Sequence, residues 1–195
     1  MINSKKDYIY YLEQDKKNLG VRGTLKDWLF HDIWRFQRAL RRAEYWSNCK
    51  KTVFGKLLAL FFRYKAKKTG LRMGFTIPIN VFAEGLSIAH TGTIVVNSKA
   101  RIGKNCRVHV CVNIGASTHN SLQVPKVGDD CYIGPGAKLY GDIVIGNNTG
   151  IGANSVVNKS FEDGNQTIAG LPAKKIANKG PLEFRSFSVV KGSQS

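Results

Sequence analysis

Acidic side chains are scarce in this sequence: 13 Asp and Glu stand against 30 Lys and Arg in 195 residues, a formal charge of +17. The shortage is concentrated in residues 1–75, with 18 basic against 6 acidic groups, leaving 12 against 7 for the remainder. Such a field favours polyanions: anionic polysaccharide, lipid headgroups or nucleic acid. No recognised binding module accompanies the charge, so nucleic acid is the weakest of the three. Cysteine is also rare. Cys49, Cys106, Cys111 and Cys131 form no CxxC pair and no metal-ligand spacing with histidine, so no metal is expected. Long apolar runs are missing as well. The most apolar window, VFGKLLALFF at 53–62, falls far below the ~20 residues needed to cross a bilayer. The opening MINSKKDYIYYLEQD has no apolar stretch of the secretory kind. A cytoplasmic protein with reduced thiols is expected, with at most a peripheral place at the inner face of the membrane.

What is present is a repeat. Val96, Ile102, Val108 and Ile114 recur every six residues, and Val127, Ile133, Leu139, Ile145, Ile151 and Val157 continue the series. Glycine often follows, as at Gly103, Gly115, Gly128, Gly134, Gly146 and Gly152, and a small residue often stands four places on, as at Ala100, Cys106, Cys131, Ala137, Thr149 and Ser155. One large aliphatic and one small side chain pointing inward per hexad, with Gly or Asn at the corners, describes the flat faces of a prism-shaped β-solenoid. Gly and Asn suit corners because they tolerate positive φ. Cys106 and Cys131 are then small core residues. The two series join at a spacing of 13, not 12, across GASTHNSLQVPK. That segment, which bears His119, is either a functional loop or a bulge in the coil.

Upstream, residues 25–68 read as helical. Thr24 is placed to cap a segment with Trp28, Leu29, Ile33, Phe36 and Leu40 at helical intervals, and TVFGKLLALFFRYKAKK follows. The helices form either a cap packed on the coil or a neighbouring subunit, with solvated arginines and a surface His31, or a membrane-surface element. Gly70 and Gly74 then release the chain into the solenoid. The expected division is a basic helical region over 1–74, the β-helix over 75–180 and a tail over 181–195.

The hexads, with GLSIAHTGTIVVNSKARIG, VPKVGDDCYIGPGAKLYGDIVIGNNTGIGANSVV and IAGLPAKKI, resemble the hexapeptide-repeat acyltransferases, within them the serine O-acetyltransferase branch. The resemblance covers residues 75–180. It implies a mainly β fold, a left-handed parallel β-helix with an N-terminal helical region, a homotrimer, and acetyl-CoA bound between neighbouring subunits. The left hand comes from the resemblance alone, because the general crossover rule favours the other. His90, in AHTG, occupies the place of the family's catalytic histidine. An alcohol attacking a thioester must lose a proton, and an imidazole can accept it. The thioester is already activated, so direct transfer without an acyl-enzyme is implied. For the donor, the resemblance lays Gly115, Pro135, Gly136 and Ala153 along the pantetheine arm. Lys174 and Lys175 either meet the nucleotide phosphates or are solvated. His109 and His119 are candidates for the acceptor site, with an exposed corner and an exposed loop as the other readings.

Two departures from the family bear on function. The aspartate that orients the family's histidine falls on Phe75, leaving Asn80 or Glu84 as candidates for that role near the acceptor. The Arg-His pair before Pro-Lys, which helps hold the amino acid, is replaced by Gln123 and Val124. Together with IPIN and GLSIAH after a basic helical start, these departures resemble acetyltransferases of capsule and other surface polysaccharides. The favoured expectation is therefore transfer of acetyl to a sugar hydroxyl of an anionic surface polymer, with L-serine a poor acceptor. A serine O-acetyltransferase is the alternative, and a non-catalytic scaffold binding membrane or polyanion is the third reading.

Overall fold

The computed structural model describes residues 1–183; of the tail expected over 181–195, residues 184–195 lie outside the described residues. Four helices precede the coil: α1 (Lys5–Leu19), α2 (Leu25–Phe30), α3 (Asp32–Cys49) and α4 (Val53–Met73). Their ends follow local chemistry. Ser4 and Thr52 cap α1 and α4 through their side-chain oxygens, and Thr24 forms a reciprocal capping box with Asp27. His31, read as a plain surface residue, breaks the helical stretch: its Nδ1 accepts from the Trp34 N–H and starts α3. Gly74 ends α4 at φ 81°, whereas Gly70, expected to help release the chain, lies inside the helix. A Cβ on Gly70 would stand 3.0 Å from the Phe36 ring, so that glycine serves close helix packing instead.

The expectation of solvated arginines fails at Arg41, which is 0% exposed. All five of its N–H donors are used. Nε and Nη2 donate to Asp15, Nη1 to Glu44 and the Phe82 carbonyl, and Nη2 also to the Ala83 carbonyl, over 2.6–3.1 Å. Asp15 in turn accepts from the Gly85 and Leu86 N–H groups, and Gln37 Nε2 donates to the Leu86 carbonyl at 2.7 Å. This knot pins residues 82–86, the run into the first full turn, against the helices.

From Phe75 the chain winds as a three-faced prism, the left-handed parallel β-helix that the resemblance implies. The first face stacks β1 (Phe75–Thr76), β3 (Ile94–Val96), β6 (Val112–Gly115), β9 (Lys138–Tyr140) and β12 (Val156–Val157). The second stacks β4 (Arg101–Ile102), β7 (Lys126–Val127) and β10 (Val144–Ile145). The third stacks β2 (Ser87–Ile88), β5 (Arg107–Val108), β8 (Tyr132–Ile133), β11 (Thr149–Ile151), β13 (Gln166–Gly170) and β14 (Ala173–Ala177). Pairing is parallel except for β13 with β14, which closes the coil antiparallel. Each successive aliphatic of the series falls on the next face. All ten are buried, as are the six small residues four places on. Corners are turned in the left-handed region by Asn105, Cys111, Asp130, Asn148 and Asn154, with φ between 50° and 61°. Several are linked from turn to turn: Asn105 Nδ2 donates to Asp130 at 3.0 Å, and Asn148 Nδ2 to Asn165 at 3.0 Å.

The irregular spacing is an extruded loop. Val127 pairs with Ile145, 18 residues on, but Ile102 pairs with Val127, 25 residues on, so the segment after Gly115 leaves the coil without disturbing the register above and below.

Candidate functional site

The site builds from one corner of the prism. β2 ends at Ile88, Ala89 donates its N–H to the Val108 carbonyl at 3.0 Å, and the chain turns with His90 exposed. One turn on, the same corner carries His109, whose N–H donates to the Ile133 carbonyl at 3.1 Å. With Ile88 in register with Val108, His90 and His109 stand one position out of step on adjacent turns, and a strand spacing of ~4.8 Å still brings their side chains near each other. The His90 and His109 ring centres are 6.0 Å apart, and His109 is 5.0 Å from the ring of Tyr132. His109 is half-buried, and among the described residues its buried Nε2 has no hydrogen-bond partner. Burial, then the charge of Arg107, then His90, hold its imidazole below the usual range. Arg107 itself is tethered, donating from Nη1 to the Ser87 hydroxyl at 3.0 Å.

Other candidates sit elsewhere. His119 is exposed on the loop and, among the described residues, makes no ring contact with His90 or His109. Asn80 exchanges hydrogen bonds with the Asn48 side chain, and its N–H donates to Glu44 at 2.8 Å. Glu84 faces Lys104 at 3.6 Å. Neither contacts His90 among the described residues. Pro135, Gly136 and Ala153 lie on the next turns of the His90 corner, where the Gly136 N–H donates to the Val110 carbonyl and the Asn154 N–H to that of Pro135. Gly136, at φ 75°, has the Asn154 side chain where a Cβ would stand. Gly115 is at the other edge of the first face, roofed by the Tyr140 ring, which a Cβ would meet at 2.6 Å. Lys174 and Lys175 are exposed on β14. β2 and β14 are the two ends of the third face, five strand spacings or ~24 Å apart.

Sequence reasoning missed Tyr132 and Arg107 as neighbours of the histidines. Both occupy the slot before an inward aliphatic. Their meeting depends on Ser87, Arg107 and Tyr132 pairing across spacings of 20 and 25 residues, which the loop obscures.

The three-faced coil of hexads with an exposed corner histidine has counterparts among known proteins. Residues 125–159 match the family model for the bacterial transferase hexapeptide (six repeats). The chain is thus similar to the hexapeptide-repeat transferases, and within them to the serine acetyltransferase-like branch. It is 31% identical over 139 residues to a serine acetyltransferase of Staphylococcus xylosus, covering 71% of this chain and 61% of that protein. Against one from Staphylococcus aureus it is 33% identical over 141 residues, covering 72% and 63%. The chain thus spans little more than three fifths of the curated relatives it matches. Among solved structures, Neisseria gonorrhoeae serine acetyltransferase in complex with serine superposes with TM-score 0.68 at 26% identity, covering 89% of this chain and 71% of that one. Brucella abortus serine acetyltransferase in complex with coenzyme A superposes with TM-score 0.71 at 24% identity, covering 90% and 70%, a likeness of fold.

These relatives overturn the expectation of a polysaccharide acceptor, which rested largely on Gln123 and Val124. The structure gives a physical reason why that position is a weak guide. Val124 is 6% exposed, and the Gln123 backbone closes the loop, accepting from Ser117 at 2.9 Å and donating to Asn120 at 3.1 Å. Both residues shape the loop. The burial of Arg41 likewise withdraws one cation from the basic surface on which a polyanion was expected to dock.

Proposed function

We propose that this chain transfers acetyl from acetyl-CoA directly to the hydroxyl of L-serine, with His90 as the general base. The observation that carries the reading is the exposed His90 imidazole at the corner of a hexapeptide coil whose relatives are serine acetyltransferases, one of them solved with serine and another with coenzyme A. His90 takes the proton from the serine oxygen as that oxygen attacks the thioester carbonyl. The tetrahedral intermediate then collapses, the C–S bond breaks, and the imidazolium returns the proton to the departing thiolate. His109, with its proton affinity depressed, stands beside His90 as a neutral group able to accept a hydrogen bond from the acceptor or pass one on. The pantetheine arm runs past Pro135, Gly136 and Ala153, with Gly115 across the face, and the phosphates reach Lys174 and Lys175 at the far end of the coil. Small residues along that path let a thin chain lie against the backbone. The working unit is a homotrimer, in which the flat faces of one coil are covered by its neighbours.

The test is direct. Purified protein given acetyl-CoA and L-serine should release free thiol together with O-acetylserine, read by a thiol dye and mass spectrometry. Thiol release with sugars or other alcohols but none with L-serine would reject serine as the acceptor.

A further inference from the structure

Helix α4 is apolar on two sides. One side is built from small residues: Gly55, Ala66 and Gly70 are buried in the helical layer. On roughly the opposite side, large apolar side chains stand in solvent: Val53, Phe54, Leu57, Leu60, Phe61, Tyr64 and Leu71 are each 55–78% exposed. At ~100° per residue, positions 53, 57, 60, 64 and 71 fall within about 60° of one another, and 54 and 61 widen the stripe to about 120°. Basic residues border it on both edges, Lys56, Arg63 and Lys67 on one and Lys65 and Arg72 on the other, and Lys68 stands within it over the Tyr64 ring, all exposed. An open groove lined by Leu60, Tyr64, Leu71, Ile77 and Ile79 extends the apolar surface onto the first turn of the coil.

A stripe of this size on a soluble surface marks an interaction. Charge decides what covers it. Residues 45–83 hold eight Lys and Arg and no Asp or Glu. A second copy presenting the same face would bring like charge against like. Nor does the coil offer a net acidic partner surface, since residues 84–183 carry ten Lys and Arg against seven Asp and Glu. An apolar stripe between basic edges matches an anionic bilayer, where the large side chains enter the acyl boundary and the basic groups meet the headgroup phosphates. Among the described residues no helix is long and apolar enough to cross a membrane, so the helix would lie along the surface. We propose that α4 seats the protein on anionic lipid through Leu57, Leu60, Phe61 and Tyr64, with its basic edges supplying the lipid selectivity.

The experiment is cosedimentation of the full chain with sucrose-loaded vesicles, one set of pure phosphatidylcholine and one containing phosphatidylglycerol. The protein should sediment with the anionic vesicles and stay in solution with the neutral ones. Binding should fall several-fold between low and moderate salt as the charges are screened. Leu57→Ser, Leu60→Ser and Phe61→Ser together should lower the partition coefficient about a hundredfold. Lys65→Glu, Lys67→Glu and Lys68→Glu should do so at least tenfold, with thermal melting unchanged in either variant because these groups are exposed. Failure to bind anionic vesicles, or equal binding to both kinds, overturns the proposal. So does a serine triple variant that still binds lipid but sediments as a smaller oligomer, since the stripe would then be a protein interface. None of these readouts depends on acetyl transfer.

Discussion

At the scale of single residues, the two neighbouring imidazoles have separable consequences. His90→Ala removes a base and little packing, because the side chain is exposed. It should lower kcat by about 10²-fold or more while leaving coenzyme A affinity and melting temperature near the parent values, which stopped-flow turnover and calorimetry would check. Near-normal turnover would remove His90 from the mechanism. His109 makes a different prediction through stability. Burial, Arg107 and His90 depress its pKa in the folded state, and Tyr132 faces it from the next strand. Between that depressed value and the ordinary ~6.5 of an unfolded histidine, the unfolded chain binds more protons. Stability from this group is therefore complete above ~6.5 and is lost as pH falls through that window. Urea midpoints compared at neutral and mildly acidic pH should show the parent losing more stability than His109→Asn. Equal losses would mean the imidazole is not depressed. Of this pair, His90 was legible in AHTG through family resemblance. Its meeting with His109 and Tyr132 was not, because pairing across the loop depends on how many residues leave the coil.

At the scale of elements, the coil and the helical layer are held by different means. Each turn of the coil closes one inward aliphatic over another, as Ile133 sits between Val108 and Ile151 and is 0% exposed. Ile133→Asp would bury a carboxylate with no partner, and circular dichroism should show loss of the folded coil at neutral pH. The helical layer is fastened to the coil by a charged knot. Replacing Arg41 with Leu leaves Asp15 and Glu44 buried without their cation, which should cost about 3–5 kcal/mol in urea unfolding. A cost near zero would mean that water enters and solvates the carboxylates. The helical intervals in residues 25–68 announced α3 and α4, whereas α1, within the helical region expected over 1–74, carries no comparable apolar stripe. Its placement rests on Asp15, which is unremarkable in sequence until Arg41 and the Gly85 and Leu86 amides converge on it.

At the scale of the whole molecule, the proposed donor residues line one coil, and one chain alone leaves His90 exposed. If the site is completed by a neighbour, sedimentation equilibrium should give a trimer, and activity should fall in parallel with trimer dissociation on dilution. A stable monomer with full activity would contradict this. The extruded loop offers a second handle: its Ser117–Gln123 closure and outward His119 project from the coil, so deleting residues 117–123 should spare the fold, since register on both sides is set by the coil itself. Melting close to the parent with lost turnover would assign the loop to acceptor binding; unfolding would show that the loop is needed to hold the turn.

The sequence by itself determined the coil, because a six-residue period of branched aliphatics is a local pattern that survives wherever the turns are placed. It also marked His90, since the motif around it is contiguous. The partners reached across long chain separations were decided by tertiary structure. Arg41 looks like a solvated helical arginine until α1 and the carbonyls of residues 82 and 83 close around it. Val124 looks like an acceptor-site substitution until the coil buries it. The large apolar residues of α4 could have been core by composition alone. They are exposed because glycine and alanine on the other side bring α4 close to its neighbours, and that choice of face turns an apolar helix into a surface for anionic lipid.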